Sequence, residues 1–167
     1  PSHPALEVIR GEALRLGNGM RDYDALLDSV GERSLVLLGE ATHGTQEFYR
    51  MRAEISMRLI EEHGFDAVAV EADWPDAYRL NRYVRGEGSD ADIRLAFGDF
   101  QRFPRWMWCN EEVLRFIKTL RAHNDAQKPG AHAGFYGLDM YSLYRSAQAV
   151  VDYLAGVDEE QAAIAGQ

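Results

Sequence analysis

The stretch DAVAVEA, residues 66–72, is a short, almost continuous apolar run with Glu71 near its end. Two other stretches have the same form: SLVLLGE at residues 34–40 and AGFYGLD at residues 133–139. Short apolar runs without strict alternation are typical of strands that are covered on both faces. The sequence therefore predicts three buried strands.

Helical patterns separate these runs. Over residues 46–63, apolar side chains recur at intervals of three and four, between Thr45 as a possible cap and Gly64 as a stop. The other predicted helices cover residues 4–16, 22–30, 75–84, 110–125 and 142–155. Strands that alternate with helices predict an α/β fold with a mostly parallel sheet flanked by helices.

The composition is that of a globular protein, with 46% hydrophobic residues and a net charge of −9 over 167 residues. Clustered lysine and arginine, which nucleic-acid binding requires, are not expected in so acidic a chain. No apolar run approaches the ~18 residues that cross a bilayer, and no signal peptide is visible. A single cysteine, Cys109, cannot form an internal disulfide. We therefore expect a cytoplasmic protein that acts on a small molecule, without a nucleic-acid or membrane partner.

Three acids follow the three predicted strands. Glu40, Glu71 and Asp139 each stand at or near the end of a run, and His43 follows the first of them in the next loop. The carboxyl ends of parallel strands meet at one edge of a sheet, where such folds bind ligands. Each acid taken alone is more often a helix cap. Three acids together, with a histidine beside one of them, favour a functional cluster.

Carboxylates and an imidazole can activate water. Histidine is a usable general base at neutral pH, and a neighbouring carboxylate can fix its tautomer and stabilise the imidazolium. The glycines at positions 39 and 44 permit a sharp turn and a close approach of substrate. Arg52 could reach back to the acids or bind a developing oxyanion, but it could equally form a salt bridge at the edge of its helix.

Tryptophans lie near the same predicted edge. Trp74 follows the strand that carries Glu71, and the stretch FPRWMW, residues 103–108, contains Trp106. An aromatic stretch of this kind could close over a large apolar ligand, although such stretches more often pack on the sheet. Trp74 and Trp106 are therefore candidate substrate-binding residues, together with Asp139.

Four stretches of the chain resemble the erythromycin esterase family. They are LLGEATHGTQEFYRMR (37–52), AVAVEADWPDAYRLNRYVRG (67–86), FPRWMW (103–108) and GFYGLDMYSLYRS (134–146), and the resemblance extends over nearly the whole chain. It implies a carboxylic ester hydrolase that opens the macrolactone ring of antibiotics such as erythromycin, and so confers antibiotic resistance, without a required metal or other cofactor.

The resemblance also implies roles for individual residues. His43 would deprotonate the attacking water, and Glu71 would help to position and polarise it. Glu40 and Arg52 would complete the site around them. Asp139 comes from the strand argument alone, and we expect it to support the site rather than to do chemistry.

Family members are longer than this chain and supply a further active-site histidine from the far half of their sequence. We therefore expect residues 1–167 to form the amino-terminal portion of an erythromycin-esterase-like hydrolase domain. One position departs from the family pattern, because Cys109 stands after WMW where an arginine is expected.

Two alternatives use the same residues. A metal-dependent hydrolase could bind zinc or manganese through Glu40, His43 and Glu71, although one imidazole and a few oxygens make a weak zinc site. A non-catalytic module could hold a haem-like or other large apolar ligand, with His43 as its ligand and tryptophans as walls. The sequence does not indicate the oligomeric state.

Overall fold

The computed structural model describes residues 3–14, 16–17, 19–101, 105–128 and 130–166. The chain divides into two compact units, Pro1–Leu38 and Gly39–Gln167. Every residue that the sequence predicts to belong to the site lies in the second unit.

The first unit is helical. Its elements are helix α1 (Pro4–Glu12), a 3₁₀ turn (Met20–Tyr23) and helix α2 (Asp24–Val30). Helix α1 ends at Glu12 rather than at the predicted residue 16, because Ala13 has an extended backbone with φ −69° and ψ 127°. Helix α2 buries Leu27 and Val30 and ends at Gly31, whose φ is +55°. The predicted helix over residues 22–30 is thus present, with a 3₁₀ turn as its beginning.

The predicted strand over residues 34–40 is wrong. Residues 35–40 belong to neither a helix nor a strand, and Leu35 and Leu37 are 71% and 84% exposed. An apolar run becomes a strand only when a neighbouring strand satisfies its backbone hydrogen bonds. The sheet that the described residues form contains only the other two predicted strands.

The second unit alternates helices and strands. In chain order it contains α3 (Gln46–His63), β1 (Ala67–Asp73), α4 (Trp74–Arg85), α5 (Ile93–Ala96), a 3₁₀ turn (Arg105–Met107), α6 (Glu111–Asp125), β2 (Gly134–Asp139), α7 (Leu143–Val157) and α8 (Glu159–Ala165). Helix α3 has the predicted bounds, and Gly64 ends it in a left-handed conformation with φ +72°. The helix carries Arg52 in its second turn, just after the loop that contains Glu40 and His43.

Strands β1 and β2 pair in parallel, as the sequence predicts. Val70 pairs with Gly137, the register then shifts, and Asp73 pairs with Asp139. The shift leaves one more residue on β1 than on β2 and brings two acids side by side. A Cβ atom at residue 137 would lie 2.5 Å from the carbonyl oxygen of Ala72, so this close approach requires glycine.

The expectation that both faces of the sheet are covered is wrong. Burial alternates along β1, and Tyr136 and Leu138 on β2 are 39% and 70% exposed. The partly buried Val68 and Val70 of β1 pack against the core, and helix α4 contacts both strands. A parallel strand is buried on both faces only where helices lie on both, and the described helices leave one face open.

Helices α4 and α6 supply the centre of the core. Leu80 of α4 and Ile117 of α6 have no exposed surface, and Phe135 of β2 is 1% exposed. The buried amide of Asn124 donates a hydrogen bond to the carbonyl of Ala133 at 2.9 Å and accepts one from its N–H at 2.8 Å. This pair of bonds fixes the start of β2 against the end of α6.

The predicted α/β fold class is confirmed, because the structure combines many helices with a small parallel sheet. Within the described ranges, we find no helix with the length and apolar character needed to span a membrane.

Candidate active site

The loop before α3 brings an acid, an imidazole and a guanidinium together. Nδ1 of His43 lies in hydrogen-bond contact with Oε1 of Glu40. The other carboxylate oxygen, Oε2, forms an ion pair with Nη2 of Arg52 at 2.7 Å. The Glu40 side chain is only 10% exposed, whereas that of His43 is 46% exposed. Glu40 is therefore held from both sides, and His43 remains accessible to solvent.

The backbone of this loop depends on a glycine beside the histidine. Gly44 has a φ of +83°, a conformation that other residues rarely adopt. A Cβ atom at this position would also lie 3.3 Å from the ring of Trp106. The turn that presents His43 is thus packed against an aromatic side chain.

Arg52 takes the first of its two predicted alternatives and reaches back to an acid. Its guanidinium also lies over the ring of the buried Tyr49, 5.0 Å from the ring centre. A cation over an aromatic face is held electrostatically. Tyr49 and Glu40 together fix the guanidinium, and the role of Arg52 in chemistry stays a prediction.

A cavity of about 330 Å³ lies at the carboxyl ends of the strands. Its acidic and basic lining comprises His43, Glu71, Asp73, Asp76, Arg105 and Asp139. Phe100, Met107, Trp108 and Tyr141 supply its apolar and aromatic lining. The volume lies at the low end of the range for small-molecule sites, and the lining is more charged than is usual for them. The imidazole of the loop before α3 and the acids of β1 and β2 therefore line the same cavity.

The acids of the cavity differ in their partners. Asp73 accepts a hydrogen bond from the backbone N–H of Ser142 at 2.9 Å and another from the Ser142 hydroxyl. Asp76 lies 2.7 Å from the guanidinium of Arg145. Oδ2 of Asp139 is buried and has no hydrogen-bond partner among the residues that the structure describes.

Burial perturbs two of these carboxyl groups. The pKa of Asp76 is raised to about 6, chiefly by burial; Arg145 opposes the rise, and Asp73 and Asp99 contribute to it. Burial also raises the pKa of Asp139, and the neighbouring carboxylates of Glu71 and Asp73 add to that effect. Carboxyl groups with raised pKa values in a cleft are common features of functional sites.

The predicted aromatic residues stand beside the cavity rather than among its described lining residues. Trp74 packs against Tyr78 with ring centres 6.4 Å apart. Trp106 contacts the loop at Gly44. Residues 102–104, which include the first part of the predicted lid FPRWMW, lie outside the described residues. The substrate-binding roles of Trp74 and Trp106 stay predictions.

Sequence reasoning did not single out several residues that line the cavity, although Arg105, Met107 and Trp108 belong to the stretch FPRWMW that it named as a candidate lid. The indole N–H of Trp108 donates a hydrogen bond to the carbonyl of Glu71 at 3.0 Å, which links the 105–108 segment to β1. Asp73 and Asp76 are the second and third acids of EADWPD, and the strand-end argument selected only the first, Glu71. Tyr141 carried no pattern that pointed to the site.

The donor set does not form a metal centre. Within the described residues, no group of three or more histidine, cysteine, aspartate and glutamate side chains is arranged to hold a metal ion. The contacts of His43 and Glu40 are with each other and with Arg52.

Comparisons with known proteins identify the relatives of this chain. The sequence model of the erythromycin esterase family, described as "Erythromycin esterase", matches residues 60–167. The chain is also similar to erythromycin esterase type II of Escherichia coli, with 27% identity over 143 residues. The matched region is 83% of this chain and 32% of that relative, so the chain spans about a third of its length.

Two solved structures share the fold. A succinoglycan biosynthesis protein superposes with a TM-score of 0.75 and 24% identity, over 95% of this chain and 40% of that one. A Bacillus cereus protein superposes with a TM-score of 0.70 and 23% identity, over 96% of this chain and 39% of that one. At such identity the likeness concerns the fold alone.

Proposed function

The chain belongs to the erythromycin esterase family, and we propose that the protein is a hydrolase that cleaves a carboxylic ester with water activated by His43. One observation carries the proposal: His43, held by Glu40, lines the same cavity as Glu71. An oriented imidazole next to a water-accessible space is the arrangement that general-base catalysis requires.

Glu40 orients the base. When its carboxylate accepts the hydrogen bond from Nδ1–H of His43, the lone pair of the neutral ring is on Nε2. Nε2 is then the atom that takes a proton from water, and the carboxylate stabilises the imidazolium that forms. Arg52 holds the second oxygen of Glu40 and so keeps this carboxylate in place.

Glu71 and Arg105 act on the other reacting groups. Glu71 lines the cavity from the end of β1 and can accept a hydrogen bond from the same water, which fixes the direction of attack. Arg105 is the only arginine or lysine among the described residues that line the cavity. Its charge would stabilise the oxyanion that develops on the carbonyl oxygen.

We infer a macrolide lactone as the substrate class. The Escherichia coli relative is named as an erythromycin esterase, and Phe100, Met107 and Trp108 give the cavity the apolar wall that a large ring requires. In the proposed reaction, water adds to the lactone carbonyl and the ring opens to a hydroxy acid. Trp74 and Trp106 would contact the parts of the ring that extend beyond the cavity.

The experiment uses the full-length protein, erythromycin and water enriched in ¹⁸O. We expect the antibiotic to gain the mass of one water, with the label in the new carboxylate. If erythromycin remains intact while simple esters are cleaved, the macrolide assignment is wrong and the hydrolase assignment stands. If no ester in a panel of alkyl, aryl and lactone substrates is cleaved, the proposed function is wrong.

A chelator separates this mechanism from the metal-dependent alternative. We expect the rate to be unchanged after dialysis against EDTA, because the base is an imidazole oriented by a carboxylate and not a metal-bound hydroxide. A rate that EDTA abolishes and zinc or manganese restores would favour the metal-dependent reaction.

A further inference from the structure

We propose that Asp139 is the general acid of this site, and that its carboxyl group gives a proton to the alcohol oxygen that leaves when the ester is cleaved. The inference rests on the proposed ester hydrolysis, which assigns a base to the attacking water but no acid to the leaving group.

An alkyl ester needs such an acid. After water adds to the acyl carbon, the bond to the alcohol oxygen must break, and an unprotonated alkoxide is a poor leaving group. A positioned acid that protonates this oxygen contributes typically 10²–10⁴-fold to the rate. His43 accepts a proton from the attacking water. If a second group protonates the leaving alkoxy oxygen, the imidazole does not have to reach both the water oxygen and the alkoxy oxygen.

The position of Asp139 suits this role. It ends β2, lies in register with Asp73 of β1 and lines the same cavity as His43. Its Oδ2 atom is buried without a hydrogen-bond partner among the described residues. An ionised oxygen in that position would lose its hydration without compensation, which favours the protonated carboxyl group.

Two other acids of the cavity are held by partners. Asp73 is held by the backbone and hydroxyl of Ser142, and Asp76 forms an ion pair with Arg145. Burial and the carboxylates of Glu71 and Asp73 raise the pKa of Asp139. Asp76 also has a raised pKa, but its carboxyl group is paired with Arg145. Asp139 combines a raised pKa with a buried Oδ2 atom that has no hydrogen-bond partner among the described residues.

The reaction balances with water as the only co-reactant. The water oxygen forms a bond to the acyl carbon and its proton passes to His43. The bond from the acyl carbon to the alkoxy oxygen breaks as that oxygen takes the proton of Asp139. Transfer of a proton from the imidazolium to Asp139, through solvent, restores both groups and leaves a carboxylic acid and an alcohol.

The test compares two esters of one acid, ethyl butyrate and p-nitrophenyl butyrate, with the full-length protein. The nitrophenolate leaves as a stable anion and needs no proton, whereas the ethoxide does. We expect Asp139→Asn to lower kcat for the ethyl ester by about 100-fold or more and to change kcat for the nitrophenyl ester far less. The matched control is Asp125→Asn, which makes the same change at the end of α6, at a residue that is not among the described residues that line the cavity, and should leave both rates unchanged.

A second measurement on the unaltered protein does not depend on the folding of a variant. The charged and titratable groups around Asp139 are Glu71 and Asp73 on β1, Asp76 on α4, and His43, Arg105 and Tyr141 elsewhere on the cavity wall. A group that takes part in the hydrolysis of both esters changes both rates by the same factor when it ionises, so its effect cancels in the ratio of the two rates. The ratio of ethyl to nitrophenyl ester hydrolysis should therefore fall as the pH rises through the pKa of Asp139.

The outcomes are distinct. A selective loss for the ethyl ester together with a pH-dependent ratio supports Asp139 as the acid. An equal effect on both esters, or a ratio that does not change with pH, overturns this inference while the proposed hydrolase stands. If the unaltered protein cleaves neither these esters nor any other, the proposed function fails and the inference fails with it.

Discussion

Replacement of Asp76 with asparagine should remove a pH dependence from the stability of the protein. The Asp76 side chain is 4% exposed, and burial raises its pKa to about 6 from the ordinary value of 3.8. Between these values the folded chain binds a proton that the unfolded chain has released. The free energy of unfolding therefore falls as the pH rises from about 4 to about 6, since the slope follows the difference in bound protons.

The magnitude follows from the two pKa values. At about 1.4 kcal/mol per pH unit, their difference corresponds to ~3 kcal/mol of unfolding free energy lost above pH 6. Asparagine does not titrate, so the variant should gain up to that amount relative to the unaltered protein between acid and neutral pH. The opposite perturbation is Arg145→Gln, which removes the cation that lowers the pKa of Asp76 and should extend the loss of stability to higher pH.

Urea unfolding followed by tryptophan fluorescence is the assay. All three tryptophans, Trp74, Trp106 and Trp108, lie in the second unit with Asp76, so the signal reports that unit. The quantity to follow is the difference in unfolding free energy between the variant and the unaltered protein, from about pH 3.5 to about pH 7.5. A difference that stays constant over this range would refute the burial of an ionisable Asp76.

Two further predictions concern the fold. Gly137→Ala should lower the melting temperature sharply, because the added Cβ would lie 2.5 Å from the backbone oxygen of Ala72. The control Gly156→Ala has open space around it in α7 and should stabilise the protein by about 0.5–1 kcal/mol. Equal melting temperatures for the two variants would contradict the strand register. Leu120→Ala should lower the free energy of unfolding in urea by about 2–5 kcal/mol, because the Leu120 side chain has no exposed surface. Lys118→Ala, at an exposed position of the same helix, should lower it by less than about 0.5 kcal/mol. Similar losses for the two variants would place Leu120 outside the core.

The sequence predicted helix bounds and strand direction correctly where the residues that determine them lie in or next to the element itself. The bounds of α3 follow from Thr45 and Gly64, which lie beside the helix they delimit, and the structure has the same bounds. The parallel pairing of β1 with β2 was predictable because a helical segment separates two apolar runs, and such connections join parallel strands.

Features that depend on distant partners were not predictable. The run at residues 34–40 has the composition of a strand, but strand formation requires a pairing partner, which composition does not reveal. The register shift that aligns Asp73 with Asp139 depends on the approach of Gly137 to the backbone of β1, a contact between residues far apart in the chain.

The candidate site divides in the same way. The contact of Glu40 with His43 spans three positions in sequence, so proximity was expected from the loop alone. The position of Trp108 in the site depends on its hydrogen bond to the carbonyl of Glu71. The spacing of residues in the sequence does not predict such a bond. The same holds for the ion pair of Asp76 with Arg145.

The central claim is that the imidazole of His43 activates water in this cavity. The most direct test is kcat of His43→Gln for an ester that the unaltered protein cleaves, beside His63→Gln, whose histidine ends α3 and is not among the described residues that line the cavity. We expect His43→Gln to lose about 10²–10⁴-fold in kcat and His63→Gln to retain the original rate. A His43→Gln variant with unchanged kcat and intact fold would contradict the mechanism.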